Sequence, residues 1–358
     1  MNFVAVERRA SGLLSEVGAD RLRAITRDFF GASARLTSHR LLGDGHFSTS
    51  YLLECEGERP LVLRLSPEPA AKLWRHERAL LQRQCAVQPL LEAVRDIVPR
   101  ILRTDFTRRL VPRDWALLEW RPGQTWESAA PSIDPQSSRA LWRDFGRIVR
   151  EVHAGRGDRF GYPAPCPAHA DCGSWFIRVV DDLAADLAEQ EVEVAGLAPY
   201  RALLREEARR FRAVTVPSLV HGDLWWRNVL VQEGADGWRI TALLDAERAF
   251  FGDPAAEWVF GFLDIPPAFW EGYGRSLHVD ALDADAAWRR RAYQARGALY
   301  MMLEGVRFGF DARFAHEQFA RFLAALQHGP VMTRPRHRRS IPRLPARSTD
   351  KDGATDHA

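Results

Sequence analysis

The residues best suited to chemistry lie in two short runs, residues 221–230 (HGDLWWRNVL) and residues 243–254 (LLDAERAFFGDP). In-line phosphoryl transfer needs a carboxylate that orients a hydroxyl and takes its proton, plus oxygen ligands that hold Mg²⁺ against nucleotide phosphates. Asp223 carries the group for the first task, and Asn228 and Asp245 carry groups for the second. Alone, an Asp before a strand is an ordinary turn former that bonds its own backbone. Three such residues at this spacing make a candidate site.

The elements that must position them are written in the same stretch. Val229, Leu230 and Val231 form a short apolar run, residues 233–237 carry turn chemistry, and residues 238–244 form a second run. This pattern predicts a β-hairpin with a longish loop. Asp223 and Asn228 precede its first strand and Asp245 ends its second, so the three polar residues fall on one side.

HGDLWWRN followed by LLDAERAFFGDPAAE resembles the catalytic core of the aminoglycoside phosphotransferase and fructosamine kinase superfamily, relatives of the protein kinases. The resemblance implies that Asp223 is the catalytic carboxylate and that Asn228 and Asp245 are the Mg²⁺ ligands. It makes His221 and Asp253 supports of the loops around the site. Glu257 stands where family members often carry Asp, a departure that bears on scaffolding more than on chemistry. Trp225 is similar to the fructosamine kinase branch, but Trp226 and Arg227 depart from its small residues, so no branch is assigned.

A nucleotide-binding lobe should precede this core, and residues 41–65 (LLGDGHFSTSYLLECEGERPLVLRL) are placed to supply it. Gly43 and Gly45 permit a tight turn and close backbone approach to phosphate, with Ser48 or Thr49 as hydroxyl donors. By itself a two-glycine hairpin is only a hairpin; its place upstream of the site gives it meaning. Arg64 stands where kinases usually place the lysine that contacts the α and β phosphates. Arg keeps the charge but presents a planar fork, and with only Lys72 and Lys351 among 50 basic residues, Arg replaces Lys almost everywhere. Glu77, in the expected helix 70–84, resembles the helix Glu that pairs with the strand cation. The run WALLEW at 115–120, followed by Arg121, Pro122 and Gly123, resembles the hinge between lobes, with Glu119 to Arg121 facing adenine.

Between hinge and catalytic hairpin, Leu141, Phe145, Ile148, Val149 and Val152 recur at three and four residues and predict a helix over 139–153. It resembles the long organising helix of these kinases, which makes His153 structural. Further helices are expected over 174–191, 198–212, 254–263, 285–305 and 314–327. Cys166, His169, Asp171 and Cys172 are spaced poorly for zinc, with no second Cys pair elsewhere, and read as a loop.

The chain has 358 residues, 46% of them hydrophobic and 27% charged, enough to bury cores in two lobes. It shows no apolar run of about eighteen residues and no secretory h-region at its start. A cytoplasmic protein with no membrane partner is expected, and four cysteines make no disulfide framework. The net charge of +3 belongs to residues 331–358, whose Arg and Lys outnumber Asp; this Pro- and Arg-rich stretch is expected to be disordered. Without interleaved aromatics it is no base-stacking surface, so nucleic acid is not the expected partner.

The fold expected is a two-lobed, kinase-like α+β structure. Residues 1–120 form a small lobe with an antiparallel sheet, residues 121–330 form a mostly helical lobe, and a tail follows. The activity implied is transfer of the γ-phosphate of ATP, with Mg²⁺, to a hydroxyl of a small molecule, such as an aminoglycoside-like antibiotic. Asp181, Asp182 and Asp186 with Trp175, and Asp264 and Glu271 with Trp270 and Tyr273, are the groups offered to a cationic acceptor through charge-assisted hydrogen bonds. A metabolic kinase acting on a sugar, amino sugar or amino alcohol, and a catalytically silent nucleotide-binding protein, are the alternatives.

Overall fold

A computed structural model describes residues 12–42, 47–258 and 263–328. Five antiparallel strands open it: β1 (Leu36–Leu42), β2 (Thr49–Cys55), β3 (Leu61–Leu65), β4 (Ile101–Asp105) and β5 (Trp115–Glu119), in the order β1-β2-β3-β5-β4. Alternate residues of β2 and β3 point to one face, where Tyr51, Leu53, Leu61, Leu63 and Leu65 pack with Leu22 and Ile25 of helix α1 (Ala19–Phe30). On the other face Ala116 and Leu118 meet Leu81 of helix α2 (Leu80–Val87). Both faces of β5 are therefore covered, which is why WALLE reads as a continuous apolar run.

The helix expected over residues 70–84 is broken. A single 3₁₀ turn spans Arg75–Glu77, Arg78 is extended, Ala79 is left-handed at φ 56°, and α2 starts only at Leu80. The cause is local: the Glu77 carboxylate accepts from the Trp74 N–H at 2.9 Å and turns back on its own turn. Side chains before and after this break no longer share a helix face.

After β5 the chain crosses to a second sheet, β6 (Gln124–Thr125), β8 (Val229–Gly234) and β9 (Gly237–Leu243), with β8 in the middle. The expected hairpin is thus β8 and β9. It also holds the crossing segment, since Thr241 Oγ1 donates to the Pro122 carbonyl at 2.7 Å. A Cβ on Gly123, whose φ is 132°, would stand 2.7 Å from the same hydroxyl, so the crossing segment can lie this close only with glycine there.

Helices build the rest: α3 (Trp126–Ala129), α4 (Pro135–Ala154), α5 (Cys172–Glu189), α6 (Leu197–Glu206), α7 (Pro267–Tyr273), α8 (Ala284–Phe308) and α9 (Arg313–His328). Asp134 caps α4 through the N–H groups of Gln136 and Ser137, and the five apolar positions predicted for its inner face are all buried. Where α4 crosses α7, a Cβ on Gly146 would lie 2.0 Å from the Phe269 carbonyl, and one on Gly272 would lie 1.8 Å from that of Arg143. These glycines let the backbones touch, which brings His153 of α4 and Tyr273 of α7 together. A short pair, β7 (Ser218–Val220) with β10 (Phe250–Gly252), closes the core behind the site.

Of the helix expected over 254–263, only the 3₁₀ turn Pro254–Ala256 is seen, and residues 259–262 lie outside the described residues. The basic tail from residue 331 lies outside them too. Asp171 caps α5 by accepting from the Ser174 N–H, and all four cysteines are unpaired. No described helix is long and apolar enough to cross a membrane.

Candidate active site

The loop before β8 owes its shape to Gly222. Its φ is 78°, and a Cβ there would lie 2.6 Å from the Arg248 carbonyl, so only glycine lets the two site segments approach. Asn228 closes the loop: its N–H donates to the Trp225 carbonyl at 2.9 Å, and its own carbonyl accepts from Leu244 at 2.8 Å. The end of β9 is thereby pinned to the start of β8, which sets Asp245 beside Asn228 as the hairpin pattern requires. Asp245 itself is left-handed, with φ 63° and ψ 50°.

Asn228 Nδ2 donates to the Asp223 carbonyl at 2.8 Å and to its carboxylate at 2.9 Å. Two acceptors fix which end of the amide is nitrogen, so Oδ1 is the end left for a cation. Burial raises the Asp223 carboxyl to about 7, and the negative charges of Asp245, Glu304 and Glu247 add to this against the pull of Arg248. Asp223, Asn228 and Asp245 all line one cleft of about 2040 Å³ that lies between the sheet and the helices. Asn228 and Asp245 offer hard oxygen donors, the set that suits Mg²⁺.

A buried frame holds the loop from behind. Glu257 accepts from the N–H groups of His221 at 2.9 Å and Gly222 at 2.8 Å, and its carboxylate also meets His153 Nε2 at 3.0 Å. The other ring nitrogen of His153 reaches the Tyr273 hydroxyl at 2.8 Å. Burial works to raise the Glu257 carboxyl, yet His153 and the backbone donors hold it below its ordinary range. Burial pushes the His221 imidazole below its ordinary range, against the pull of Glu257 and Asp245. Asp253 accepts from the Ala255 N–H, from Arg289 at 2.9 Å and from the Tyr293 hydroxyl at 3.2 Å. Both His153 and Asp253 are thus structural, as expected.

The structure departs from expectation at the cation. Arg64 reaches the cleft, but its partners are the carboxylates of Asp245 and, at 2.7 Å, Glu247, with Gln84 of α2 at 3.4 Å. Burial opposes the Arg64 charge, and the two carboxylates more than restore it. Glu77 is not its partner. Because the helix breaks before Leu80, Glu77 pairs instead with Arg307 of α8 and does not line the cleft. Arg64→Met would strand Glu247, whose side chain is 4% exposed. Breaking a buried pair from one side costs about 3–5 kcal/mol, and urea unfolding of the metal-free protein should show a loss of that order. A loss under about 1 kcal/mol would mean that the pair is not held in solution.

Of the remaining positions, Ser48 is buried and lines the cleft, whereas the Thr49 hydroxyl is taken up by the backbone of Ser15. Glu119 lines the cleft too, but its N–H donates to the Arg100 carbonyl and its carboxylate lies between Arg100 and Arg121. Gly43 and Gly45 lie outside the described residues. The carboxylates offered by α5 are consumed: Asp181 by Arg201 and Arg205, Asp182 by Arg178, and Asp186 by Arg75. Trp175 is buried against Phe250, and Tyr273 is committed to His153. Trp270 packs on Trp258, Phe269 and Tyr273. Glu271 lines the cleft but pairs with Arg139 and Arg143, and Asp264 lines it as well. Glu247 and Arg248 were missed in the sequence, although two charges inside the apolar run LLDAERAFF are a signal that could have found them.

A sequence profile of the phosphotransferase enzyme family (APH) matches residues 38–293, most of the chain. The chain belongs to this family. Solved structures agree on the phosphotransferase fold. The apo crystal structure of a thermostable mutant of aminoglycoside phosphotransferase APH(4)-Ia gives a TM-score of 0.62 at 19% identity, covering 87% of this chain and 100% of that one. The gentamicin complex of APH(2″)-IIa gives 0.55 at 15% identity over 88% and 97%. A Thermobifida fusca protein assigned as a fructosamine-3-kinase gives 0.55 at 18% identity over 86% and 99%. At such identities the likeness is one of fold, and the fold is the kinase-like α+β architecture expected. A sequence comparison with curated proteins finds no match.

Proposed function

We propose that this phosphotransferase moves the γ-phosphate of ATP to a hydroxyl of a small molecule. The observation that carries the reading is the junction of Asp223, Asn228 and Asp245 at the floor of one cleft, with Asn228 bonded to Asp223. Asp223 orients the acceptor hydroxyl and takes its proton as the oxygen bonds to the γ-phosphorus and ADP departs. Asn228 and Asp245 would hold Mg²⁺, which when bound neutralises charge on the β and γ phosphates. Ser48 and Arg64 line the phosphate side, and the sheet up to about residue 120 forms the nucleotide lobe. Solved relatives support ATP as donor, since APH(4)-Ia has been crystallised with AMP-PNP and hygromycin B and with ADP and hygromycin B.

An aminoglycoside-like antibiotic, modified as a route to resistance, is one acceptor of this kind. A metabolic hydroxylated compound is the other, and the α5 carboxylates give a polycation no support, since they are bound to arginines and do not line the cleft. A coupled ADP-formation assay with MgATP over neutral, cationic and anionic hydroxylated compounds is expected to show acceptor-dependent turnover that EDTA abolishes. ADP formation that no acceptor stimulates would count against the proposal.

A further inference from the structure

Charge pairing across the cleft is uneven. Glu127 pairs with Arg227, Glu271 with Arg139 and Arg143, Asp245 and Glu247 with Arg64, and Glu257 with His153. Asp264 and Glu304 are engaged as well. Among the described residues three arginines lining the cleft form no ion pair: Arg40, which is exposed, and two that are buried. Arg83 of α2 and Arg296 of α8 are 1% and 5% exposed, and neither forms an ion pair among the described residues.

Their contacts are those of cations held by rings. The Arg83 guanidinium lies 4.3 Å from the centre of the Tyr162 ring, and that of Arg296 lies 5.2 Å from Tyr300 and 5.8 Å from Phe250. The Tyr162 and Tyr300 hydroxyls meet at 3.2 Å, which joins the two into one wall. Among the described residues Arg83 donates once, to the His76 carbonyl at 2.8 Å, Arg296 has no hydrogen bond, and the Nε atoms of both are buried and unsatisfied. Cation–π contacts repay only part of the desolvation of a guanidinium. A third arginine, Arg248, links this wall to the reaction centre, with Nε 3.9 Å from the Asp223 carboxylate. The positive field is also felt by His76, which burial and then Arg248, Arg83, Arg307 and Arg296 push well below its ordinary range.

We propose that Arg83, Arg248 and Arg296 form an anion subsite for the acceptor, so that the molecule phosphorylated carries a carboxylate or phosphate beside its hydroxyl. A planar guanidinium fork presents paired N–H donors to such a group, and the tyrosine rings confine it. The inference rests on the phosphotransferase reading above and reverses the charge expected of the acceptor from sequence. The same chemistry could be met by the phosphates of the nucleotide. Arg83 sits on α2, which packs on the sheet, but Arg296 and Tyr300 sit on α8 and Tyr162 follows α4, in the helical part, so two of these three segments lie away from Ser48, Arg64 and Glu119.

The test uses the full chain and three probes, benzoate, inorganic phosphate and spermidine, titrated calorimetrically with and without saturating MgADP. Benzoate or phosphate is expected to bind saturably in the presence of MgADP, and spermidine is not. Arg296→Met and, independently, Arg83→Met should weaken anion binding at least tenfold with MgADP affinity unchanged, while Arg296→Lys should lose less. Two variants on different helices guard against one that fails to fold. Absence of anion binding, anion affinity indifferent to both variants, or competition between the anions and MgADP would overturn the proposal; competition would return the cluster to the nucleotide. If the anions bind and MgADP does not, it is the phosphotransferase reading that fails.

Discussion

Asp223→Asn is expected to lower kcat by about 10²–10⁴-fold, the range for removing a general base, while MgADP binding stays within a few-fold of wild type. Asn keeps the size of the side chain and can still accept from the Asn228 amide, so the loop has no reason to move. The same substitution should change stability in a pH-dependent way. Folding raises the Asp223 carboxyl from its ordinary 3.8 to about 7, mainly through burial. The folded state therefore favours the protonated form; that contribution is complete below about pH 4 and is lost as pH rises through 7. Asn is neutral throughout and loses nothing. In metal-free protein the melting temperature of the variant, minus that of wild type, should increase from pH 4 to pH 8. An inactive enzyme that gains relative stability with pH would mark a carboxylate kept against its own solvation, a trade common at catalytic positions. A difference that does not change over this range would mean that Asp223 titrates like a surface carboxylate.

Glu257→Gln should be nearly as damaging to turnover without touching any reacting atom. One carboxylate receives the His221 and Gly222 N–H groups and meets His153. Gln offers one acceptor oxygen in place of two, so at least one buried donor loses its partner, at about 1–3 kcal/mol. Gly222 is the residue immediately before Asp223, and a misplacement of about 1 Å at a reacting group can cost 10²-fold. A fall in kcat of about that size is expected, with the acceptor KM little changed. Glu257→Asp keeps the charge but shortens the reach and should fall between the two. Full activity in Glu257→Gln would mean that the loop holds its shape without this anchor.

Local pattern carried much of this architecture. The hairpin, its turn and the position of three polar residues at one end follow from short apolar runs and Gly-rich punctuation, and α4 follows from a single periodic face with Asp134 at its cap. Those features depend on neighbours a few residues apart. The pairing of Arg64 does not, because it is decided by where α2 begins. That start was shifted by a Glu77 side chain bonding back to Trp74, an interaction with no periodic signature. The α5 carboxylates likewise looked available because their arginine partners include Arg75, Arg201 and Arg205, which lie on other elements. Arg83, Arg248 and Arg296 come from three separate stretches of chain, and in a chain so rich in Arg nothing sets them apart until the fold shows that Arg83 and Arg296 are buried without an ion pair and that Arg248 lies beside Asp223.

The central claim is transfer of phosphate to an acceptor hydroxyl, and ³¹P NMR observes it directly. MgATP incubated with the enzyme and the panel of hydroxylated acids, neutral compounds and amines should yield a new phosphomonoester resonance together with an equal amount of ADP, and Asp223→Asn should yield neither. ATP left intact across the panel, or converted only to ADP and inorganic phosphate, would contradict the account.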